Sequence, residues 1–240
     1  MSETRRRVIL VGGTKGLGRI FKLICENETD WRIFNFARNP VNASDIRCDV
    51  TNQEDIVSAL KKVNMDSEGI DSIVFFQRYR GTEDSWHNEM EVCVKGVDLF
   101  INSAVEYFKL SACPDKSVVI VSSISSLFVT SEQNAAYHAS RAAQIGLMRY
   151  HAHRQGKYGI RVNAVSFGSI VKGSNIEYYD AHPKIKKKLA DCSPLGRMGA
   201  SDEVARAIKF LISQESSWIS GQNLIVDGGS SVEWAESNSR

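Results

Sequence analysis

Val8-Ile-Leu-Val-Gly-Gly-Thr-Lys-Gly-Leu-Gly18 is the stretch on which the fold turns. Its four apolar residues form a short, uninterrupted run, the mark of a strand buried on both faces. The glycines that follow cannot continue it. Gly12, Gly16 and Gly18 give the spacing G-x-x-x-G-x-G, and the next residues read as an amphipathic helix, Leu17–Glu26. Glycine permits the tight turn and lets the backbone approach a ligand closely. The helix start adds free N–H groups and the positive end of a dipole, so the turn is built to hold a pyrophosphate. Thr14, Lys15 and Leu17 complete it. The spacing is neither the G-x-G-x-x-G fingerprint nor a P-loop, since no Gly-Lys-Ser/Thr triplet closes it.

Outward from this turn, strand and helix patterns alternate along the chain. Strands are expected at Arg7–Val11, Arg32–Phe36, Ile46–Cys48, Ser72–Phe76, Ser117–Ser122, Arg161–Ser166 and Asn223–Val226. Helices are expected at Gln53–Val63, Trp86–Phe108, Asn134–Gly156 and Ser201–Ser213, with Ser201 as N-cap ahead of Asp202 and Glu203. Such alternation predicts an α/β fold: one Rossmann-type doubly wound domain over 1–240, with a mainly parallel sheet of about seven strands and helices on both faces. The segment 168–199, with Pro183, Pro194 and the basic run Lys184–Lys188, breaks the alternation and is expected to be a substrate lid. The basic run fits a solvated face. The lesser alternative is attraction of a phosphorylated, carboxylated or carrier-linked small-molecule substrate.

Composition narrows the class. The 240 residues are 42% hydrophobic and 24% charged, as in a globular soluble chain. A net charge of +2 gives no case for nucleic acid. No stretch approaches the roughly 18 apolar residues of a membrane span, and Arg5-Arg-Arg7 precedes too short an apolar run to be a signal peptide. The five cysteines show no metal-ligand spacing and imply free thiols in a reducing, cytoplasmic setting. His151 and His153 diverge on a helix, so no metal site is expected.

The cofactor type follows from the end of the second strand. Sites that prefer NAD usually place an acid there for the ribose 2′-hydroxyl. Here the residues are Asn35-Phe-Ala-Arg-Asn39. Arg38 and Lys15 are positioned instead to pair with a 2′-phosphate, which favours NADP(H) over NAD(H).

Tyr137 and Arg141 in Tyr137-His-Ala-Ser-Arg141 are i and i+4, so they share one helix face. With the glycine turn, Gly159-Ile-Arg-Val-Asn-Ala-Val165, Pro194-Leu-Gly-Arg197 and Ser220-Gly-Gln-Asn-Leu-Ile-Val-Asp-Gly-Gly229, the chain resembles the short-chain dehydrogenase/reductase family over roughly residues 7–230. The likeness is to its 3-oxoacyl-carrier-protein-reductase-like branch. It implies nicotinamide-dependent hydride transfer to or from a carbonyl/alcohol substrate, with Tyr137 as general acid/base. It also implies a serine that polarises the carbonyl, Ser123 with Ser125 as the alternative, and a homodimer or homotetramer. Asp49, with Val50 beside it, resembles the family's acid near the adenine ring. The trailing Glu233–Arg240 is expected to order at a subunit interface.

Several positions depart from the family pattern. Arg141 stands where a lysine is usual. Arginine stays cationic and can favour a phenolate by charge, but it cannot release a proton to a relay. Cys93 replaces an asparagine and reads as a small buried residue. Phe75-Phe-Gln-Arg78 replaces Asn-Asn-Ala-Gly and should reshape or obstruct the cofactor wall, with Arg78 and Arg80 free to meet an anion. Phe167 and Lys172 replace a proline and a threonine. Three readings stay open: an NADP(H)-dependent oxidoreductase, a non-catalytic nucleotide-binding or scaffold protein, and a lyase, dehydratase or epimerase that uses Tyr137 for proton transfer.

Overall fold

The computed structural model describes residues 5–81 and 83–232; Glu233–Arg240, with its expected interface role, lies outside them. The strand at Arg7–Val11 (β1) is buried along its whole length. Its side chains alternate as a pleat requires. Val8 and Leu10 pack with Leu17, Phe21, Val204, Ile208 and Leu211 on one face. Ile9 and Val11 pack with Ile56, Leu60, Phe100, Ile101 and Met148 on the other. A strand with two apolar faces needs a helical layer over each, and the fold supplies both.

The remaining elements are α1 (Gly16–Glu28), β2 (Arg32–Ala37), β3 (Ile46–Arg47), α2 (Gln53–Val63), β4 (Ser72–Phe75), α3 (Ser85–Met90), α4 (Gly96–Leu110), β5 (Lys116–Ser123), α5 (Ala135–Gly156), β6 (Ile160–Phe167), β7 (Ile170–Val171), α6 (Ile176–Ala181), α7 (Pro183–Asp191), β8 (Gly199–Ala200), α8 (Ser201–Ile212) and β9 (Asn223–Val226). Seven strands form one sheet in the order β3-β2-β1-β4-β5-β6-β9, every pairing parallel. From β1 the chain first moves outward to β2 and β3. It then returns across β1 to β4 and continues the other way. The strand order therefore reverses between β1 and β4, and in such sheets the ligand crevice opens at the carboxyl ends on either side of that point.

Local chemistry sets the boundaries. Asn52 caps α2 by accepting from the N–H groups of Glu54 and Asp55 at 2.8 and 3.1 Å, and Asn134 caps α5 by accepting from Tyr137 N–H at 2.8 Å. At α8 the expected Ser201 cap is displaced by one residue. Ser201 is already helical and its hydroxyl donates to Val171 C=O, while Glu203 reaches back to accept from Ala200 N–H at 2.8 Å. The long helix expected over Trp86–Phe108 is interrupted: α3 and α4 are joined by one wide π-helical turn, Glu91–Lys95, centred on Cys93. Segment 168–199 carries β7, α6 and α7, and β7 pairs with β8. Neither α6 nor α7 buries a residue. Within the basic run Lys186 pairs with Asp180 and Lys187 with Asp191, each at 2.8 Å. Among the described residues no helix is long and apolar enough to cross a membrane.

Candidate active site

The carboxyl ends of β1, β2, β4, β5 and β6 enclose a cleft of about 620 Å³. Its β1–β2 side is lined by Gly12, Thr14, Lys15, Gly16, Leu17, Gly18 and Arg38, with Asp49 and Val50 beyond β3. All nine residues assigned to the cofactor from the sequence thus meet on one wall. The glycines are needed where they stand. Gly12 has φ +90° and Gly16 has φ +56°, conformations that strain other residues. A Cβ on Gly18 would lie 2.8 Å from both Gly12 O and Gly13 Cα, whereas the space beside Gly16 is open. The turn is therefore closed on its strand side and free on its cleft side, as a phosphate cradle requires. Lys15 and Arg38 are exposed at the rim and form no ion pair among the described residues. Asp49 Oδ1 accepts from the N–H and hydroxyl of Thr51 at 3.0 and 2.8 Å, fixing a turn after β3.

Asn35 was not singled out from the sequence, yet it shapes this wall. It is buried beneath the turn, accepts from Gly13 N–H at 2.9 Å and donates to Asp45 at 2.8 Å. Asp45 in turn accepts from the N–H groups of Val41 and Asn42, both at 2.9 Å. The clue was available: one amide among the apolar residues Ile33–Ala37 must find partners when buried.

The wall after β4 is reshaped but leaves the cleft open. Phe75 turns into the core against Phe100, with ring centroids 5.5 Å apart. Phe76 leans on Phe21 at the same separation and on Gly18. Obstruction by Phe75 is thus excluded by the pleat, which sends alternate residues to opposite faces. Phe76 lines the cleft together with Gln77, Arg78, Tyr79 and Arg80. Both polar atoms of the Gln77 amide are buried without a partner.

On the β5–β6 side the cleft is lined by Ser122, Tyr137, Arg141, Phe167, Lys172, Ser174 and Asn175. Tyr137 is half-buried, and Arg141 lies one turn further along α5 with its guanidinium carbon 4.7 Å from the Tyr137 ring centroid. Ser122 also lines the cleft, but its hydroxyl donates to Arg141 C=O at 3.3 Å. Ser123 and Ser125 sit just beyond: Ser123 Oγ accepts from Ser125 N–H at 3.1 Å and donates to Ser125 Oγ at 3.2 Å.

Arg141 is only 3% exposed, and a buried cation needs a counter-charge. Glu89 from α3, itself 4% exposed, provides it, with Arg141 Nη2 3.5 Å from Glu89 Oε2. The same oxygen accepts from Cys93 Sγ and Ser140 Oγ, each at 3.2 Å. Arg141 also donates to Gln144 Oε1 and to Cys93 Sγ, both at 3.1 Å, and its Nε has no partner. Cys93 is therefore buried as expected, but as a member of a polar cluster rather than as apolar filler. Burial, the largest influence, pushes its thiol up to about 11, so it is no nucleophile at neutral pH. Elsewhere on α5, His151 is fully buried against Asp98 at 2.9 Å while His153 is exposed. The described residues contain no group of three or more metal-ligating side chains.

A family model described as enoyl-(acyl carrier protein) reductase matches residues 27–231. The chain belongs to the short-chain dehydrogenase/reductase family. It is 28% identical to an isoepoxydon dehydrogenase of Penicillium expansum, over 92% of this chain and 93% of that protein. It is 30% identical to a sorbose reductase of Candida albicans, over 79% and 69%. The fold superposes on a ligand-free aldohexose dehydrogenase of Thermoplasma acidophilum with a TM-score of 0.85, at 25% identity over 96% of each chain. These relatives are oxidoreductases, and the family binds a nicotinamide cofactor and acts on small molecules. The glycine cradle and the open cleft of this short-chain dehydrogenase/reductase fit such a cofactor.

Proposed function

We propose that the protein is an NADP(H)-dependent carbonyl reductase or alcohol dehydrogenase, with Tyr137 as general acid/base, Arg141 as its electrostatic partner and Ser123 as hydrogen-bond donor to the carbonyl oxygen. The observation that carries this reading is the convergence of Tyr137 and the intact glycine turn on one cleft. Bound nicotinamide supplies or accepts the hydride. In the reductive direction the Tyr137 hydroxyl gives its proton to the carbonyl oxygen, with the Arg141 guanidinium beneath its ring. Arg141 keeps its protons, so Tyr137 regains one from solvent on its exposed side. Ser123 donates to the substrate by giving up its bond to Ser125 Oγ. Lys15 and Arg38 take a 2′-phosphate. The working unit is one nucleotide-binding domain with segment 168–199 as lid, assembled as a homodimer or homotetramer. Five free cysteines suit a reducing cytoplasm.

The test is a carbonyl panel with NADPH and with NADH. Tyr137→Phe should lower turnover by about a hundredfold or more, the usual contribution of a general acid. Unchanged turnover in that variant removes the mechanism. Exchange of Arg38 for Ala should narrow the preference for NADPH.

A second reading, nucleotide binding without turnover, draws on the commitment of Arg141 to Glu89, Gln144 and Cys93. If it holds, Arg141→Lys combined with Cys93→Asn gains no activity. Robust turnover in that double variant counts against it.

A further inference from the structure

Two groups of cations line the cleft. Lys15 and Arg38 follow β1 and β2. Lys172 follows β6 on the side of Tyr137, and Arg78 and Arg80 reach the cleft from the loop after β4. We propose that Arg78, Arg80 and Lys172 form an anion-binding subsite on the Tyr137 side, and that the carbonyl substrate enters with a carboxylate or phosphate group seated on it. The inference rests on the reductase reading above and names its substrate class.

Three features support the assignment. None of the three cations forms an ion pair among the described residues, and Arg78 and Arg80 lie close enough to Lys172 to act on its charge. Their mutual repulsion is uncompensated. Lys172 is largely buried over the Phe167 ring, 4.9 Å from its centroid. Burial first, then Arg78 and Arg80, hold its ammonium down to about 8. A bound anion relieves all three at once, and two guanidinium forks suit the geometry of a carboxylate or phosphate. The adjacent Gln77 amide, buried with both polar atoms unpartnered, adds a neutral donor at the same wall. The glycine turn and the Lys15/Arg38 pair already answer the phosphates of a dinucleotide, so this second group is left for the substrate.

The experiment uses calorimetry on NADP⁺-saturated protein with malonate, inorganic phosphate and the neutral dimethyl malonate. In parallel, turnover with NADPH is compared for acetoacetate against methyl acetoacetate, and for dihydroxyacetone phosphate against dihydroxyacetone. The expected result is saturable binding of malonate or phosphate but not of the diester, with the matching anion preferred in turnover; which pair responds tells carboxylate from phosphate. Arg78→Gln, Arg80→Gln and Lys172→Met should each weaken anion binding about tenfold, the scale of one charge-assisted hydrogen bond. Lys172→Arg should retain it. Three results overturn the subsite: anion and ester behave alike; anions bind only to cofactor-free protein; or the variants weaken NADPH tenfold and leave anion binding to loaded protein unchanged, which assigns the cluster to the cofactor. Anion binding without any turnover keeps the subsite and removes the reductase reading. Turnover without preference for anions does the reverse.

Discussion

The Glu89→Gln substitution is the sharpest probe of how this site is held. Glutamine keeps the shape of the side chain and removes its charge. Arg141 would then be a guanidinium 3% exposed, facing a neutral amide, with its Nε already unpartnered. At the observed 3.5 Å and an effective dielectric of about 20, the lost attraction is about 5 kcal/mol. Breaking a buried pair by removing one partner costs about 3–5 kcal/mol by experience, so the two figures agree. For a chain of this size each kcal/mol lowers Tm by roughly 2–4 °C, giving an expected fall on the order of 10 °C. Thermal denaturation followed by circular dichroism measures it. Arg141→Gln alone should cost a similar amount, and the double variant should recover much of the loss, because no buried charge is then left uncompensated. A Glu89→Gln protein melting within about 2 °C of the wild type, or single losses that simply add in the double variant, would refute the ion-pair account.

Three further outcomes follow from the geometry. Gly18→Ala forces a Cβ to within 2.8 Å of Gly12 O and Gly13 Cα, so it should destabilise by about 1–3 kcal/mol and weaken NADPH more than tenfold; Gly146→Ala, with open space beside it, should be neutral or slightly stabilising in urea melts. His151 is lowered from its ordinary value mainly by burial, with Asp98 opposing, so its folded pKa lies below its unfolded one. The stability it contributes is complete above about pH 6.5 and is lost as pH falls through the folded value; His151→Gln should flatten the stability slope between pH 7.5 and 5.5 by up to about 1.4 kcal/mol per pH unit, and an unchanged slope would sink the assignment. Asn35→Leu leaves Gly13 N–H and one Asp45 oxygen without their partner, and should cost about 1–3 kcal/mol along with cofactor affinity, read by urea melts and NADPH titration.

Much of the fold could be read from the chain because its signals are local. The run Val8–Val11, the glycine turn and the i, i+4 spacing of Tyr137 and Arg141 each carry their own geometry within a few residues. The sheet and the glycine-lined wall of the cleft follow from them. What escaped depends on meetings between distant segments. Nothing in Ser85–Met90 marks Glu89 as buried, since a glutamate on a short helix is ordinarily solvated. It is buried because Arg141, 52 residues later, arrives opposite it and because Cys93 lies one turn along the same face. A buried cation does demand an anion, however, and position 89, i−4 from the anomalous Cys93, was the place to seek one. The Ser201 cap failed for a related reason: its hydroxyl found Val171 across the chain instead of its own helix.

The exchange of lysine for arginine at position 141 is thus one part of a connected set. A longer cation on this face of α5 reaches past the Tyr137 ring into the layer between α3 and α5, where Glu89, Cys93, Ser140 and Gln144 receive it. The wide turn at Glu91–Lys95 places Cys93 among them, and such turns are common at functional sites. Reversing Arg141 alone would leave Glu89 facing a shorter ammonium and Gln144 without its donor. Arg141→Lys should therefore destabilise the protein while Arg141→Lys with Cys93→Asn, which supplies a new amide beside Glu89, should recover part of the loss. Equal melting temperatures for the two variants would show that positions 93 and 141 act independently.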